Sequence, residues 1–250
     1  TFAVIVSTFF RLYENKCETI TLPKESDITS LKEYICNVAI PTFEDAIIKT
    51  EDVENIFNFV SNINGANISK FEDAIIETKD ARKIYLFAKI INGANKSQLE
   101  DAIIKTGDAE YIFEFAMQIE GANISRLEDA IIETGNAEYI FKFTSDINGA
   151  NISKLEDAII EIRDAKYIYD FAHNIKGANI SRLEDAIIET GNAQYIYCFA
   201  RDIKGANISR LEIAAIKVAV ENHSMEDIIF LKLTLNSSKL EPIAEENKFY

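Results

Sequence analysis

Residues 123–150 carry the hydrophobic pattern from which most of the chain is built. Ile124, Leu127, Ala130 and Ile131 fall at the three- and four-residue steps of one helical face. After Thr134-Gly135-Asn136, the residues Ile140, Phe143, Thr144 and Ile147 form a second such face. The spacing predicts two helices of about ten residues each, joined by a break of two to four residues. Ser125 with Glu128 three residues later reads as a capping box opening the first helix, with Asn123 as a competing cap. Gly135 suits the left-handed residue after the first helix, and Asn136 is expected to cap the second. Gly149 is expected to end that second helix in the same way.

This unit recurs. The sextet Phe43-Glu44-Asp45-Ala46-Ile47-Ile48 returns nearly unchanged at Phe71, Leu99, Leu127, Leu155 and Leu183, with a worn copy at Leu211. Gly-Ala-Asn keeps the same 28-residue step at Gly65, Gly93, Gly121, Gly149, Gly177 and Gly205. A fixed period of this size marks a stacked repeat architecture, in which no unit buries its apolar face alone. Helices this short are marginal in isolation, so contact between neighbours has to hold them.

The repeat divides the chain into an irregular N-terminal cap over 1–26, an array over 27–222 and a C-terminal helical cap over 223–250. Val4–Val6 and Thr19–Thr21 are β-prone around Glu14-Asn15-Lys16, so the first segment can form a small hairpin. Ile28, Leu31 and Ile35 stand in register with Ile56, Phe59 and Ile63, which predicts a lone helix over Asp27–Cys36. Pro41 occupies the position of Ser69 one repeat later, at a helix start where proline is tolerated. Leu211–Glu221 is expected to run on as a longer helix, followed by helical pieces over Met225–Leu235 and Ser238–Asn247.

The expected fold is therefore all-α, a right- or left-handed α-solenoid of about seven 28-residue αα-hairpins with irregular ends. From about Asp27 to Asn222 the layout resembles the α-solenoid class of HEAT, Armadillo and tetratricopeptide arrays. The tetratricopeptide Trp, Gly and Tyr pattern and the ankyrin Thr-Pro-Leu-His are both missing, and the step is shorter than in those families. The resemblance implies a scaffold that grips a protein or peptide along a groove.

Composition narrows the partner. The net charge of −15 repels phosphate backbones and anionic lipid, which argues against direct nucleic-acid binding and membrane adsorption. The charge leaves a basic protein partner, metal cations or simple solubility as readings, with solubility first, and the partner expected is a protein or peptide. Cys17, Cys36 and Cys198 are odd in number and lack CxxC spacing, which fits free thiols and a cytoplasmic setting. Thr1–Phe10 is apolar but too short to span a membrane, and it lacks the charged start and cleavage site of a signal peptide.

Three constellations qualify as sites. The first is a carboxylate ladder, Glu44/Asp45, Glu72/Asp73, Glu100/Asp101, Glu128/Asp129, Glu156/Asp157 and Glu184/Asp185. Such a row can hold a basic partner or imitate a nucleic-acid backbone. It can equally serve helix N-termini, where carboxylates favour the macrodipole. Lys70, Arg126, Lys154, Arg182 and Arg210 partly neutralise it. The second is an aromatic pair in the second helix, Tyr111/Phe113, Tyr139/Phe141, Tyr167/Tyr169 and Tyr195/Tyr197, read either as a seal between hairpins or as a tyrosine-lined groove.

The third is the place where copies differ. One row holds Arg82, Glu110, Glu138, Lys166 and Gln194. A second holds Leu86, Glu114, Lys142, Asp170 and Cys198, and a third Lys89, Met117, Ser145, His173 and Arg201. These positions share one face of the second helix. Diversity on a uniform frame is how a repeat protein tunes recognition, and an unconstrained face would look the same. The partner-binding candidates are therefore Glu110, Glu114, Met117, Glu138, Lys142, Ser145, Lys166, Asp170 and His173, with Tyr111, Tyr139, Tyr167 and Tyr195 beside them.

No catalytic, cofactor-binding or metal-ligating set emerges. His173 and His223 are far apart and have no Cys or carboxylate at ligand spacing, and no phosphate-binding or nucleophile motif occurs. The expectation is a non-enzymatic protein-binding or scaffolding module. The alternatives are an acidic nucleic-acid mimic that inhibits a nucleic-acid-binding protein, and an architectural part of a larger assembly.

Overall fold

The computed structural model describes residues 39–50 and 52–224, together with Asn37, Glu226, Asp227, Ile229 and Leu231. The regular elements among these residues are thirteen α-helices, and no strand occurs among them. They are α1 (Ile40–Thr50), α2 (Val53–Asn62), α3 (Ile68–Glu77), α4 (Ala81–Ile90), α5 (Lys96–Thr106), α6 (Ala109–Gln118) and α7 (Ile124–Glu133). There follow α8 (Ala137–Asp146), α9 (Ile152–Ile162), α10 (Ala165–Asn174), α11 (Ile180–Glu189), α12 (Ala193–Asp202) and α13 (Ile208–Glu221). The chain is thus an all-α helical repeat with helices of the length its pattern predicts. The proposed hairpin over 1–26, the helix over Asp27–Cys36 and the helix over Ser238–Asn247 lie outside the described residues. Of Met225–Leu235, Glu226, Asp227, Ile229 and Leu231 are helical.

The described chain forms two compact units. One holds α1–α5 together with Ile119–Gly121, and the other holds α6 through α13. In the first unit each helix packs on the next, and α3 also touches both α1 and α5. In the second, α8 packs on α6 and α10, and α10 on α12, so the even helices form one layer. The contacts α7 with α9 and α11 with α13 belong to the opposite, odd layer. Each unit therefore buries apolar rows between two layers. Phe115, Phe143, Phe171 and Phe199 come from the even helices and Leu127, Leu155, Leu183 and Leu211 from the odd ones, all fully buried in the second unit. Phe71, Phe87 and Leu99 do the same in the first. Truncating one of these phenylalanines to alanine removes about 3–5 kcal/mol in a well-packed core.

The helix ends depart from the sequence reading in two places. Asn123, not Ser125, caps α7: its side chain accepts from the Arg126 N–H at 3.3 Å, and the helix begins at Ile124. The Asn wins because the chain enters α7 two residues earlier, straight from the Gly-Ala turn. Consequently Glu128 is not the return arm of a capping box on Ser125. Gly149 does not follow the helix directly either. Ile147 ends α8 in extended conformation, and Gly149 sits in the next turn at φ 87°, where the Ala150 N–H donates to the Ile147 carbonyl. A third turn position with positive φ is one that glycine fills without strain.

The break inside each hairpin follows the prediction. Gly135 has φ 64° and Asn136 caps α8 by accepting from the Tyr139 N–H at 3.2 Å. Thr134 adds a relay not anticipated from the sequence. Its hydroxyl donates to the Ile131 carbonyl at 2.6 Å and accepts from the Asn136 N–H at 3.2 Å, so one side chain closes α7 and fixes the cap of α8. Thr50, Thr78 and Thr190 repeat both bonds.

Candidate functional site

The carboxylate ladder separates into two rows of unlike character. Its glutamates, Glu44, Glu72, Glu100, Glu128, Glu156 and Glu184, are all buried despite their charge. A buried carboxylate requires compensation, and for Glu44, Glu72, Glu128, Glu156 and Glu184 the following repeat supplies it. Glu44 accepts from the backbone N–H of Asn67 at 2.6 Å, Glu128 from Asn151 at 2.6 Å, Glu156 from Asn179 at 2.7 Å and Glu184 from Asn207 at 2.8 Å. Glu72 accepts likewise from Asn95. The donating Asn is in each case the N-cap of the next odd helix or occupies the cap position. Its own side chain meanwhile accepts from the N–H three residues on. The invariant glutamate of one repeat thus fixes the cap that starts the next.

A cation completes the joint. Arg182 reaches Glu156 at 3.1 Å and Asp157 at 2.6 Å, and Arg210 reaches Glu184 at 3.0 Å and Asp185 at 2.7 Å. Lys70 lies 3.7 Å from Glu44 and 2.6 Å from Asp45, and Lys154 pairs with Glu128 at 3.5 Å and with Asp129. Hydrogen bonding from Lys70 holds the Asp45 carboxyl below its ordinary value, and Asp157 raises the Arg182 guanidinium. The aspartates are the solvent-facing half of the ladder: Asp157 keeps 59% of its side chain exposed where Glu156 keeps 3%. What looks in sequence like a bare row of twelve carboxylates is a buried row of glutamates and an outer row of aspartates, of which Asp45, Asp129, Asp157 and Asp185 are paired with cations.

The tyrosines Tyr111, Tyr139, Tyr167 and Tyr195 are half-buried. Within the second unit their rings meet the second aromatic of the preceding repeat: Phe113 with Tyr139 at 6.0 Å, Phe141 with Tyr167 at 6.5 Å and Tyr169 with Tyr195 at 6.0 Å. These tilted pairs, in the favoured range for aromatic contacts, seal one even helix to the next. Tyr169 donates its phenol to Asp202 at 2.9 Å across α10 and α12.

The variable positions lie on the outer side of the even layer. Glu110, Met117, Glu138, Ser145, Lys166 and His173 are exposed, while Glu114, Lys142 and Asp170 are half-buried. The adjoining α6, α8, α10 and α12 carry them, so residues at equal positions form rows across touching helices. Lys142 bridges Glu138 at 2.6 Å and stands 4.6 Å over the Tyr139 ring. Lys166 lies 3.3 Å from Asp170 and 3.9 Å over Tyr167. Glu138 is held below its ordinary value, first by its bond to Lys142 and further by the charge of Lys166 in the next repeat. His173 stacks on Tyr169 with centroids 5.7 Å apart. The structure thus brings the predicted stripe and the tyrosine row together on one surface of the second unit. Sequence reading missed the joint role of the glutamates; their identity in every copy, beside an equally constant Asn 23 residues on, was the available signal.

Cys198 is a free, half-buried thiol whose burial raises its pKa, and Cys17 and Cys36 lie outside the described residues. Among the described residues, no His, Cys, Asp and Glu side chains gather in threes fit to hold a metal, and no helix is long and apolar enough to cross a membrane. Comparison with protein-family models, with curated proteins and with solved structures returns no match to this chain.

Proposed function

We propose that this chain is a non-enzymatic, α-solenoid-type module that binds or scaffolds a protein or peptide, and that its contact surface is the outer stripe of α6, α8, α10 and α12. One observation carries the reading: across α7–α12 the odd helices hardly vary, whereas exposed positions of the even helices change from copy to copy. The odd helices repeat Ile-Ser-Arg-Leu-Glu-Asp-Ala-Ile-Ile-Glu without change at 124–133 and 180–189, and with one Lys for Arg at 152–161. Over the same span the stripe runs Glu110, Glu138, Lys166, Gln194 in one row and Met117, Ser145, His173, Arg201 in another. Exposed odd-helix residues such as Asp129, Asp157 and Asp185 stay constant, whereas exposed stripe residues diverge in charge and size from copy to copy, so exposure alone does not account for the divergence. The flanking Tyr and Lys pairs add flat, rigid surface of the kind that anchors interfaces.

The acidic-mimic alternative rests on the net charge of −15 and on the ladder. Half of that ladder is buried, and Asp45, Asp129, Asp157 and Asp185 are paired with cations, so the stripe is better supported as the contact surface. A free thiol at Cys198 suits a reducing, cytoplasmic-type compartment.

The test reverses charge at Glu114, Lys142 and Asp170 together and compares the proteins captured from source cells by wild-type and triple variant, quantified by mass spectrometry. The expected result is loss of a stoichiometric partner at unchanged far-ultraviolet circular dichroism. Equal capture by both proteins removes this surface from consideration.

A further inference from the structure

The joints at Glu44, Glu128, Glu156 and Glu184 combine a buried glutamate, the backbone N–H of the next cap and a Lys or Arg three residues beyond that cap. The joint between α3 and α5, both in the first unit, lacks the third component. Position 98 is Gln, where the corresponding residues are Lys70, Lys154, Arg182 and Arg210. Gln98 donates to Asp73 at 2.9 Å and leaves Glu72, which is 2% exposed, with the Asn95 N–H as its hydrogen-bond donor. Among the described residues, no Lys, Arg or His lies within ion-pair distance of Glu72. A neutral amide offers a hydrogen bond to the exposed aspartate but no charge to the buried one, so this carboxylate is compensated less completely than its counterparts.

A second irregularity falls in the same repeat. The residue after Thr78, where α3 gives way to α4, is Lys79 with φ 54°, at a position filled elsewhere by Gly107, Gly135 and Gly191. A side chain in the left-handed region is strained. Arg163 shares that strain at φ 60°, yet the joint over its repeat, Glu156 with Asn179 and Arg182, is complete. Only the α3–α5 joint, of the five within the two units, combines a missing cation with a strained hairpin.

We infer that the α3–α5 joint is a built-in opening point, the one among the five joints within the two units that parts first in the native state. Opening there lets Glu72 and the Asn95 N–H reach water without separating an ion pair, whereas the same motion at Glu156 or Glu184 must also break the bond to Arg182 or Arg210. The joint thus sets where the array can flex while the other joints stay shut.

Native-state hydrogen exchange of the full chain, resolved to peptides or single amides, tests this directly. The Asn95 amide is expected to exchange at least about ten-fold faster than those of Asn151, Asn179 and Asn207, which have the same donor role in complete joints. Gln98→Arg supplies the missing cation and is expected to remove most of that difference. Arg182→Gln makes the converse joint and is expected to bring Asn179 up to the rate of Asn95. Equal protection of the four amides, or an Asn95 rate unmoved by Gln98→Arg while Arg182→Gln leaves Asn179 protected, overturns the inference.

Discussion

Glu156 and Asp157 are adjacent carboxylates that differ by one methylene, yet one bonds the backbone of the next repeat from a buried site and the other faces solvent. Substitution should separate them. Glu156→Gln keeps an oxygen for the Asn179 N–H but gives up the charge opposite Arg182, and should cost about 1–3 kcal/mol in urea unfolding. Asp157→Asn loses an exposed pair and should cost less than about 1 kcal/mol. Comparable losses from the two would contradict the joint. Tyr169 offers a pH handle at the same scale. Burial first, and its bond to Asp202 second, push its phenol from 10 up to about 12. The folded value lies above the unfolded one, so the associated stabilisation is complete below pH 10 and is lost as the pH rises through about 12. A tyrosinate absorbance titration should show a late-ionising phenol that Tyr169→Phe removes; an unchanged titration curve would refute the assignment.

At the scale of the element, α3, α5, α7, α9 and α11 each hand over to the next even helix through a left-handed residue. Glycine fills that place at Gly107, Gly135 and Gly191, and Lys79 and Arg163 hold it under strain. Lys79→Gly and Arg163→Gly should each raise unfolding free energy by about 0.5–1 kcal/mol, the relief of left-handed strain less the entropy of a freer unfolded chain. Destabilisation by both would show that other contacts of these side chains outweigh the strain. The helices themselves were legible from their apolar spacing, and Gly135 and Asn136 from their chemistry. Ser125 misled because a capping box is a local pattern, whereas the partner of Glu128 is a backbone N–H 23 residues away. No local rule reaches across that separation.

For the whole molecule, a constant 28-residue step makes the layered helical repeat readable before any coordinates. The same step hides what distinguishes copies, because a row of Glu-Asp pairs looks uniform whether its members are buried or exposed. The stripe on α6, α8, α10 and α12 was legible as variation, and its companion tyrosines as a pattern. A seal between hairpins was one reading of that pattern; which ring meets which, such as Phe113 with Tyr139, depends on how neighbouring helices lean and emerged from the structure. The central claim is that helices of ten or eleven residues persist because each repeat caps and covers the next. Circular dichroism of a synthetic peptide spanning residues 151–178, one complete hairpin without neighbours, measures this most directly. The account predicts a mostly unfolded spectrum in water; per-residue helicity equal to that of the full chain would contradict it.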